Sequence, residues 1–310
     1  MKVHLDTDIG GDVDDVCALA YLARHPDVEL TGVTSVLDDG GRRAGYAREL
    51  LRIAGLGGVP IAEGAREDAP RYHGQQFGLP EEPRYWPAPV ARLPGPSEAA
   101  LDLLEASIAG GAVVFAIGPY TNLALLEEQR PGILAAVDVV LMGGFVREIP
   151  AGYPQFEWTH DFNVQADADA AEAVLRAVNP ARCTLVPIEV TVQTYLRQRD
   201  LGRLRAGDHL GALVAHQAAA FAEDNGFAAR YGHLPALPDD LANFMHDPRA
   251  CTVGLGWPGA RIDELPLRLE RHDDLLRLVE DEDAAAGTFR VVTEVDAEAF
   301  LDHWLEVVAG

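Results

Sequence analysis

Carboxylates are concentrated in residues 6–15, which read DTDIGGDVDD. The glycines at positions 10 and 11 allow the backbone to turn tightly between them. Carboxylates that converge raise one another's pKa unless a cation neutralises them, and oxygen ligands favour Ca²⁺ or Mg²⁺ over softer metals. The pattern therefore indicates a divalent-metal site, with a solvated acidic loop at a helix start as the alternative. An EF-hand is disfavoured, because Gly10 replaces a ligand and Cys17 stands where that motif needs glutamate.

Two further motifs carry groups that could join this chemistry. His246 and Asp247 are adjacent in an apolar stretch, where they could supply a proton donor and a metal ligand. Such a pair also suits the start of a helix, which is the alternative. Asp161 and Asn163 are separated by one residue and could bind vicinal hydroxyls together, with a turn as the alternative.

A Gly-Pro pair follows the apolar run at residues 112–117. It takes the last carbonyl of the run, that of Ile117, out of strand pairing, so this oxygen could face a metal. An ordinary strand-to-helix turn explains the pair equally well. Each of these motifs is inconclusive alone.

The elements that would position these groups alternate regularly along the chain. Apolar runs predict strands, and amphipathic stretches between them predict helices. The longest segment without such a pattern, residues 63–96, is rich in proline, glycine and aromatics and is predicted to be a functional loop or lid. The predicted strands are 2–5, 28–36, 58–62, 112–117, 137–142 and 183–186, and the predicted helices include 13–22, 44–53, 98–108, 168–178, much of 201–229, and 294–308 with Trp304 inward.

This alternation predicts an α/β fold: one domain, residues 1–310, with a doubly wound, mostly parallel sheet flanked by helices. Ligands of such sheets bind at the carboxyl ends of the strands. The loops after Leu5, Val36, Ile117 and Met142 are therefore expected to form the site.

Composition excludes several classes of protein. The chain has 25 Lys+Arg and 49 Asp+Glu, a net charge of −24, which disfavours nucleic acid as a partner. No stretch reaches the roughly 20 apolar residues that a membrane span needs, and the N-terminus lacks a secretory signal pattern. The three cysteines form no zinc-type spacing or disulfide framework. A cytoplasmic protein is expected.

Taken together and in order, the motifs DTDIGGDVDD, IGPYTN, VVLMGG, DFN and HDP resemble the inosine-uridine-preferring nucleoside hydrolases. Members of that family open with DTDPG-x-DD or the longer DTDIG-x-D-x-DD, and the resemblance runs from Asp6 to beyond Asp247. It implies a doubly wound α/β fold, a tightly bound Ca²⁺ and hydrolysis of the N-glycosidic bond of ribonucleosides. It also implies a homo-oligomer, a dimer or a tetramer.

The resemblance implies a role for each matching residue. Asp8, Asp15 and Asp247 match the calcium carboxylates, and Ile117 matches the residue whose backbone carbonyl completes them. Asp8 also matches the general base, and His246 the acid that protonates the leaving base. The implied substrate-binding residues are Asp14, Asp161 and Asn163 on the ribose hydroxyls, Met142 beside the sugar, and His73 in a loop beside the base and the 5′ side.

Three stretches depart from the family pattern. The usual Gly-Asn after the second strand is replaced by Leu-Asp-Asp, with Asp38 as the best match for the sugar contact. The usual Glu-Phe-Asn is Asp-Phe-Asn here, one methylene shorter at Asp161. Residues 147–160 add Tyr153, Phe156 and Trp158, which could stack on a base or pack together. These departures leave the metal motif intact, but they mean that the resemblance does not determine the substrate.

Other functions are compatible with parts of this pattern. The same metal site could serve a modified nucleoside or another N-ribosylated compound, or a non-catalytic calcium-dependent binder of nucleosides or ribose. A phosphatase that uses Asp6 and Asp8 as a DxD motif is disfavoured, because no later lysine and acidic pair is evident and the HDP motif would have no role.

Overall fold

A nine-stranded sheet organises the protein, as seen in a computed structural model that describes residues 1–66, 79, 82–282 and 287–310. Helices cover both faces of the sheet. The strands are β1 (Lys2–Thr7), β2 (Glu29–Ser35), β3 (Ile61–Glu63), β4 (Val113–Ala116), β5 (Val139–Met142), β6 (Cys183–Val186), β7 (Tyr195–Arg197), β8 (Leu241–Phe244), β9 (Ala260–His272), β10 (Leu275–Glu280) and β11 (Thr288–Val295).

Fourteen helices are found among the described residues. They are α1 (Asp14–Arg24), α2 (Arg42–Ile53), α3 (Glu82–Tyr85), α4 (Glu98–Ala109), α5 (Thr121–Gln129), α6 (Ile133–Ala136), α7 (Phe162–Gln165), α8 (Ala168–Ala177), α9 (Ile188–Thr191), α10 (Leu201–Ala206), α11 (His209–Asn225), α12 (Phe227–Tyr231), α13 (His246–Gly254) and α14 (Ala297–Ala309). None of them combines the length and the apolar character needed to cross a membrane.

The strand order of the sheet is β10-β9-β11-β6-β5-β4-β1-β2-β3. Seven of these strands, from β3 to β11 in that order, run parallel, whereas β9 and β10 form an antiparallel edge. The chain winds outward from β1 in one direction and from β4 in the other, so the order reverses between these two neighbours. Such a switch point leaves a crevice at the carboxyl ends of the two strands, where ligands bind in open α/β sheets.

The core consists of two large apolar clusters, one on each face of the sheet. Helices α1, α2, α11, α13 and α14 cover one face, and α4, α5 and α8 cover the other. Neighbouring residues of β4 point to opposite clusters, since Phe115 belongs to the first and Val114 and Ala116 to the second. Both sides of the central strands are therefore buried, which explains their continuous apolar sequence.

A buried asparagine ties the carboxyl ends of the strands together. The amide of Asn122 donates to Asp6 Oδ1 at 2.7 Å and to the carbonyl of Ser35 at 2.9 Å, and its oxygen accepts from the backbone N–H of Ala65 at 2.7 Å. Burial raises the pKa of Asp6 to about 7. The Asn122 side chain, which belongs to the IGPYTN motif, thus fixes the ends of β1 and β2 and the loop after β3 relative to one another.

The predicted fold class is confirmed: the sheet is mostly parallel, doubly wound and flanked by helices. That residues 1–310 form one domain stays a prediction. The predicted helix at 294–308 was wrong at its start, because β11 continues to Val295 and Asp296 caps α14 by accepting from the N–H of Ala299. Trp304 is fully buried, as expected. Strands β7, β8, β9, β10 and β11 were not predicted.

Candidate active site

A cavity of about 720 Å³ opens at the carboxyl ends of β1 and β4. It lies at the switch point of the sheet and is bounded by the loop after β1, the start of α13 and the end of α11. Nine of the residues singled out in the sequence line it: Asp8, Asp14, Asp15, Ile117, Met142, Asp161, Asn163, His246 and Asp247.

Three buried carboxylates converge at the floor of this cavity. Asp14, Asp15 and Asp247 each offer an oxygen atom, and the three oxygens lie within 4.8 Å of one another. Asp14 and Asp15 begin α1, while Asp247 lies in the first turn of α13, which packs against α1. The backbone N–H of Asp247 donates to Asp14 Oδ2 at 3.3 Å, and the hydroxyl of Thr7 donates to Asp15. Residues from opposite ends of the chain thus meet at one point.

The electrostatics of this trio suit a bound cation. Burial raises the pKa of Asp14, Asp15 and Asp247 well above the ordinary aspartate value, and the neighbouring carboxylates raise it further. A cation between the three oxygens would remove both the mutual repulsion and the cost of burying the charges. The donors are all hard oxygens, which fits Ca²⁺ or Mg²⁺.

Asp8 lies beside the trio and is not one of its members. Burial raises its pKa, while the nearby guanidinium of Arg43 opposes that rise. The resemblance implied Asp8 rather than Asp14 among the metal carboxylates, so the structure brings together Asp15 and Asp247 as expected and adds Asp14. Ile117 lines the cavity, and its carbonyl accepts a hydrogen bond from Asn163 Nδ2 at 2.8 Å.

The side chain of Asn163 is oriented by the protein. Its amide nitrogen donates to the carbonyls of Ile117 and Met142 at 2.8 and 3.0 Å, which leaves the amide oxygen as the acceptor for a ligand hydroxyl. Asp161 accepts from the backbone N–H of Gly144, and burial raises its pKa to about 7. Asp161 therefore also holds the glycine turn that follows β5.

His246 is held by α9. Its Nδ1 lies 2.7 Å from the hydroxyl of Thr191, which also approaches the carbonyl of Ile188 at 3.3 Å. Burial lowers the pKa of His246 to about 4, so the imidazole is neutral at pH 7. With Nδ1 engaged, Nε2 is the ring nitrogen available to a ligand in the cavity.

Asp38, a predicted substrate-binding residue, is not brought into the cavity. Asp38 is fully buried, and its carboxylate accepts from Ser35 Oγ and from the backbone N–H groups of Arg43 and Ala44 at 2.7 to 3.0 Å. It fixes the start of α2 and is not among the described lining residues. His73 lies outside the described residues.

Two of the additional aromatics pack together rather than against the cavity. Tyr153 and Phe156 join a cluster with Phe227, Tyr231 and Phe244, in which Phe156 meets Tyr231 edge-to-face with ring centres 6.4 Å apart. Trp158 packs instead against the ring of His272, at 5.3 Å. The packing alternative therefore describes these side chains, and none of the three is among the described lining residues.

Several lining residues were not found from the sequence. Asp12 accepts from Asn243 Nδ2 at 2.9 Å, and burial raises its pKa to about 6. On the far wall, Arg84 forms ion pairs with Asp224 and Glu223, and Tyr85 donates to Asp224 at 2.8 Å. These contacts tie α3 to the end of α11. No local sequence motif predicts these contacts, because they depend on which helices pack against each other. Gly11, Asp12 and Phe162 belong to the motifs DTDIGGDVDD and DFN but had been given no individual role. The lining residues outside every motif are Arg43, Arg84, Tyr85, Ile188, Phe221, Asp224 and Asn225.

Gly118 gives Asp8 the room it occupies. A Cβ at this position would lie 2.7 Å from Asp8 Oδ1 and 2.8 Å from a methyl of Val36. If Asp8 takes part in a reaction in this cavity, Gly118→Ala is expected to displace its carboxylate and to lower kcat by about 100-fold, the effect of misplacing a reacting group by roughly 1 Å. Steady-state kinetics checks this, with Gly202→Ala as the control, since a Cβ there meets nothing within 4 Å. Equal activity of both variants would contradict the assignment of Asp8 as a tightly positioned group.

Comparison with known structures identifies the fold. The plant nucleoside hydrolase PpNRh1 superimposes with a TM-score of 0.77 at 20% sequence identity, over 100% of this chain and 99% of that one. A purine-preferring ribonucleoside hydrolase from Gardnerella vaginalis gives a TM-score of 0.75 at 21% identity, over 100% of this chain and 98% of that one. The fold is that of the nucleoside hydrolases.

Sequence comparison identifies the family. The profile of the inosine-uridine preferring nucleoside hydrolases matches residues 3–302, so the chain belongs to this family. Uridine nucleosidase 1 of Arabidopsis thaliana is 30% identical over 219 residues, which are 64% of this chain and 60% of that protein. The protein is thus a nucleoside hydrolase, an enzyme that acts on N-glycosyl compounds and belongs to a family of metal-dependent hydrolases.

Proposed function

We propose that the protein hydrolyses the N-glycosidic bond of ribonucleosides to free base and ribose, with Ca²⁺ as cofactor and Asp8 as general base. The observation that carries the proposal is the convergence of Asp14, Asp15 and Asp247 within 4.8 Å beside Asp8, at one end of a cavity large enough for a nucleoside.

The residues that would hold Ca²⁺ are Asp8, Asp15 and Asp247 together with the carbonyl of Ile117. Asp14 lies close enough to share the ion or to bind a ribose hydroxyl beside it. When bound, the ion supplies charge that orients the vicinal ribose hydroxyls and makes a bound water more acidic. All of these donors are hard oxygens, which favours calcium over a transition metal.

Asp8 would accept the proton of the attacking water. Its carboxylate lines the cavity next to the trio, and the backbone around it is held by Arg43. As the bond to the base breaks, the sugar gains oxocarbenium character, and the surrounding carboxylates stabilise this positive charge. Direct attack by a single water inverts the anomeric carbon.

The sugar would be held on the side of the cavity opposite α3. The amide oxygen of Asn163 accepts a ribose hydroxyl because its nitrogen is occupied by two backbone carbonyls. Asp14 and Asp161 supply further acceptors, and Met142 packs against the ring. Asp161 is one methylene shorter than the family's glutamate and is bonded to Gly144, so its hold on the 5′ hydroxyl is weaker in this proposal.

His246 would donate the Nε2 proton to the departing base, and the proton that Asp8 takes from the attacking water would afterwards return the ring to its neutral form. A neutral imidazole carries its proton on Nε2 when Nδ1 accepts from the hydroxyl of Thr191. This tautomer requires the single hydroxyl proton of Thr191 to go to Nδ1, at 2.7 Å, rather than to the carbonyl of Ile188, at 3.3 Å. In this proposal Thr191 selects the ring nitrogen that faces the leaving group.

We expect Thr191→Val to lower kcat/KM for nucleosides with poor leaving groups by about tenfold or more, and to change activated substrates such as p-nitrophenyl riboside much less. Nitrogen-15 histidine spectra should show His246 neutral between pH 6 and 8, because burial lowers its pKa to about 4, and the Nε2–H tautomer should decline in the variant. Thr31→Val, on the half-buried part of β2, is a matched control. Equal loss on both kinds of substrate would remove His246 and Thr191 from leaving-group protonation.

The test of the proposed function is a panel of ribonucleosides incubated with the calcium-loaded protein, with free ribose and free base as readouts. Ribose release supports hydrolysis. Binding of ribose without turnover would support the non-catalytic binder, and release only from modified nucleosides or other N-ribosylated compounds would support the second enzyme. The relatives' names point to different bases, uridine in one and purines in another, so the panel includes both.

The assembly and location of the protein are also proposals. We propose a homo-oligomer, a dimer or a tetramer, in the cytoplasm. Sedimentation analysis tests the first and fractionation of the source cells tests the second.

A further inference from the structure

Arg43 connects the loop that carries Asp8, the proposed catalytic base, to the loop that follows β2. It lies in the first turn of α2, and its side chain is buried at 6% exposure. Its Nη1 donates to the carbonyl of Asp8 and, at 3.3 Å, to that of Ile9, while Nε donates to the carbonyl of Leu37 at 2.8 Å. One planar guanidinium therefore joins the loop after β1 to the loop after β2.

The conformation of the loop after β2 determines where the side chain of Arg43 points. Leu37 adopts a left-handed backbone with φ of 51°, which is strained for a residue other than glycine. The carboxylate of Asp38 then accepts from the N–H groups of Arg43 and Ala44 at 3.0 and 2.9 Å. These contacts fix the start of α2, so the base of the Arg43 side chain cannot shift.

Among the described residues Arg43 forms no ion pair, but its positive charge acts on the nearby carboxylates of Asp8 and Asp15, whose pKa it lowers. Its side-chain bonds there go to backbone carbonyls, and it lines the cavity next to Asp8. Arg84, the other arginine of the cavity wall, is instead paired with Asp224 and Glu223. Arg43 is thus a cation that faces the carboxylates of the cavity and also hydrogen-bonds the backbone of Asp8, which lies beside the trio.

We propose that Arg43 is a positioning residue for the hydrolysis: its fork of N–H donors fixes the backbone at Asp8, so that the Asp8 carboxylate is held where calcium and the attacking water need it. The inference rests on the proposed function. A lysine keeps the charge at this position but cannot bridge three carbonyls. The Arg43→Lys variant therefore separates the effect of the positive charge from the effect of the hydrogen-bond geometry.

Calcium affinity distinguishes the two effects by sign. If Arg43 acted only as a positive charge, its removal would relieve repulsion and calcium would bind more tightly. If it positions Asp8, its removal disorders a ligand and calcium binds more weakly. We expect both Arg43→Gln and Arg43→Lys to weaken calcium binding and to lower kcat by about 10- to 100-fold, the usual effect of losing a group that orients a metal ligand. The KM of the nucleoside should change little.

The experiment is isothermal titration with calcium alone, followed by steady-state kinetics at saturating calcium, on the full chain. Arg52→Gln is the matched control, because it removes an exposed arginine from the other end of the same helix. Tighter calcium binding in Arg43→Gln, or wild-type affinity and kcat in Arg43→Lys, would overturn the proposal. The titration tests Arg43 even if no nucleoside is cleaved, whereas absence of ribose release from wild type and Arg52→Gln alike would count against the proposed function itself.

Discussion

Asp8→Asn is expected to lower kcat for ribonucleosides by about 10³-fold, within the range attributed to a general base. The amide has nearly the shape of the carboxylate and can still offer an oxygen to calcium, but it cannot take a proton from water. The loss should therefore appear in kcat more than in the KM of the nucleoside, because the groups that hold the ribose are unchanged.

Calcium titration of the same variant separates the two roles of Asp8. Binding weakened by about tenfold, with kcat at saturating calcium still about 10³-fold down, is the expected result. Asp39→Asn is the control, since this carboxylate lies in the neighbouring loop with a largely exposed side chain. A kcat within tenfold of wild type at full calcium occupancy would show that another carboxylate, such as Asp12 or Asp14, takes the proton.

The sequence predicted those parts of the site that are local to one motif. Asp14 and Asp15 start a helix directly after a buried strand, and the parallel sheet brings the loop after β4 beside them, so these groups could be foreseen from residue spacing. Asp247 lies more than 230 residues away, and only the resemblance to the family connected it with them before the packing of α1 on α13 was seen.

The parts that were missed depend on the direction in which a side chain points. Asp38 and Arg43 occupy one loop and helix start, and the sequence favoured the carboxylate as the group that reaches the substrate. In the structure Asp38 turns inward to cap α2, and Arg43 faces the cavity. The deciding feature is the left-handed backbone at Leu37. Leucine carries no sequence signal for that conformation, so the reversal could not be predicted.

The antiparallel strands β9 and β10 are a part of the fold that the sequence did not predict. Strands β9 and β10 consist largely of alternating apolar and charged residues, such as Leu267 and Leu269 alternating with Arg268 and Glu270. An alternating pattern marks a half-exposed strand, but here it follows a series of continuous apolar runs that mark central strands. A search for continuous runs finds β1 to β6, which include the edge strand β3, and misses β9, β10 and the inner strand β11.

Removal of calcium is expected to abolish activity and to lower the melting temperature. Without a cation, Asp14, Asp15 and Asp247 are left within 4.8 Å of one another in a buried site. Binding of a ligand to the native state alone stabilises it by about 2.7 kcal/mol when the free ligand exceeds its Kd 100-fold. For a chain of this size that corresponds to a rise of roughly 5 °C. Dialysis against a chelator, followed by thermal unfolding with and without added Ca²⁺, measures both effects.

This stabilisation should grow with pH. In the calcium-free protein, burial and mutual repulsion raise the pKa of Asp14, Asp15 and Asp247 above the unfolded value of 3.8. The native state then holds protons that the unfolded chain releases, so calcium-free stability falls as the pH rises from about 4 through the raised values. Calcium binds the ionised carboxylates and releases those protons. We therefore expect a larger calcium-induced rise in melting temperature at pH 8 than at pH 6, and tighter binding at the higher pH.

Two controls make this result specific to the carboxylate trio. Asp247→Asn should reduce both the calcium-induced rise and its dependence on pH, whereas Asp302→Asn, on α14, should leave both unchanged. A rise in melting temperature of equal size at pH 6 and pH 8 would mean that the trio is already ionised without a cation. Activity that survives complete chelation would remove the metal from the proposed mechanism.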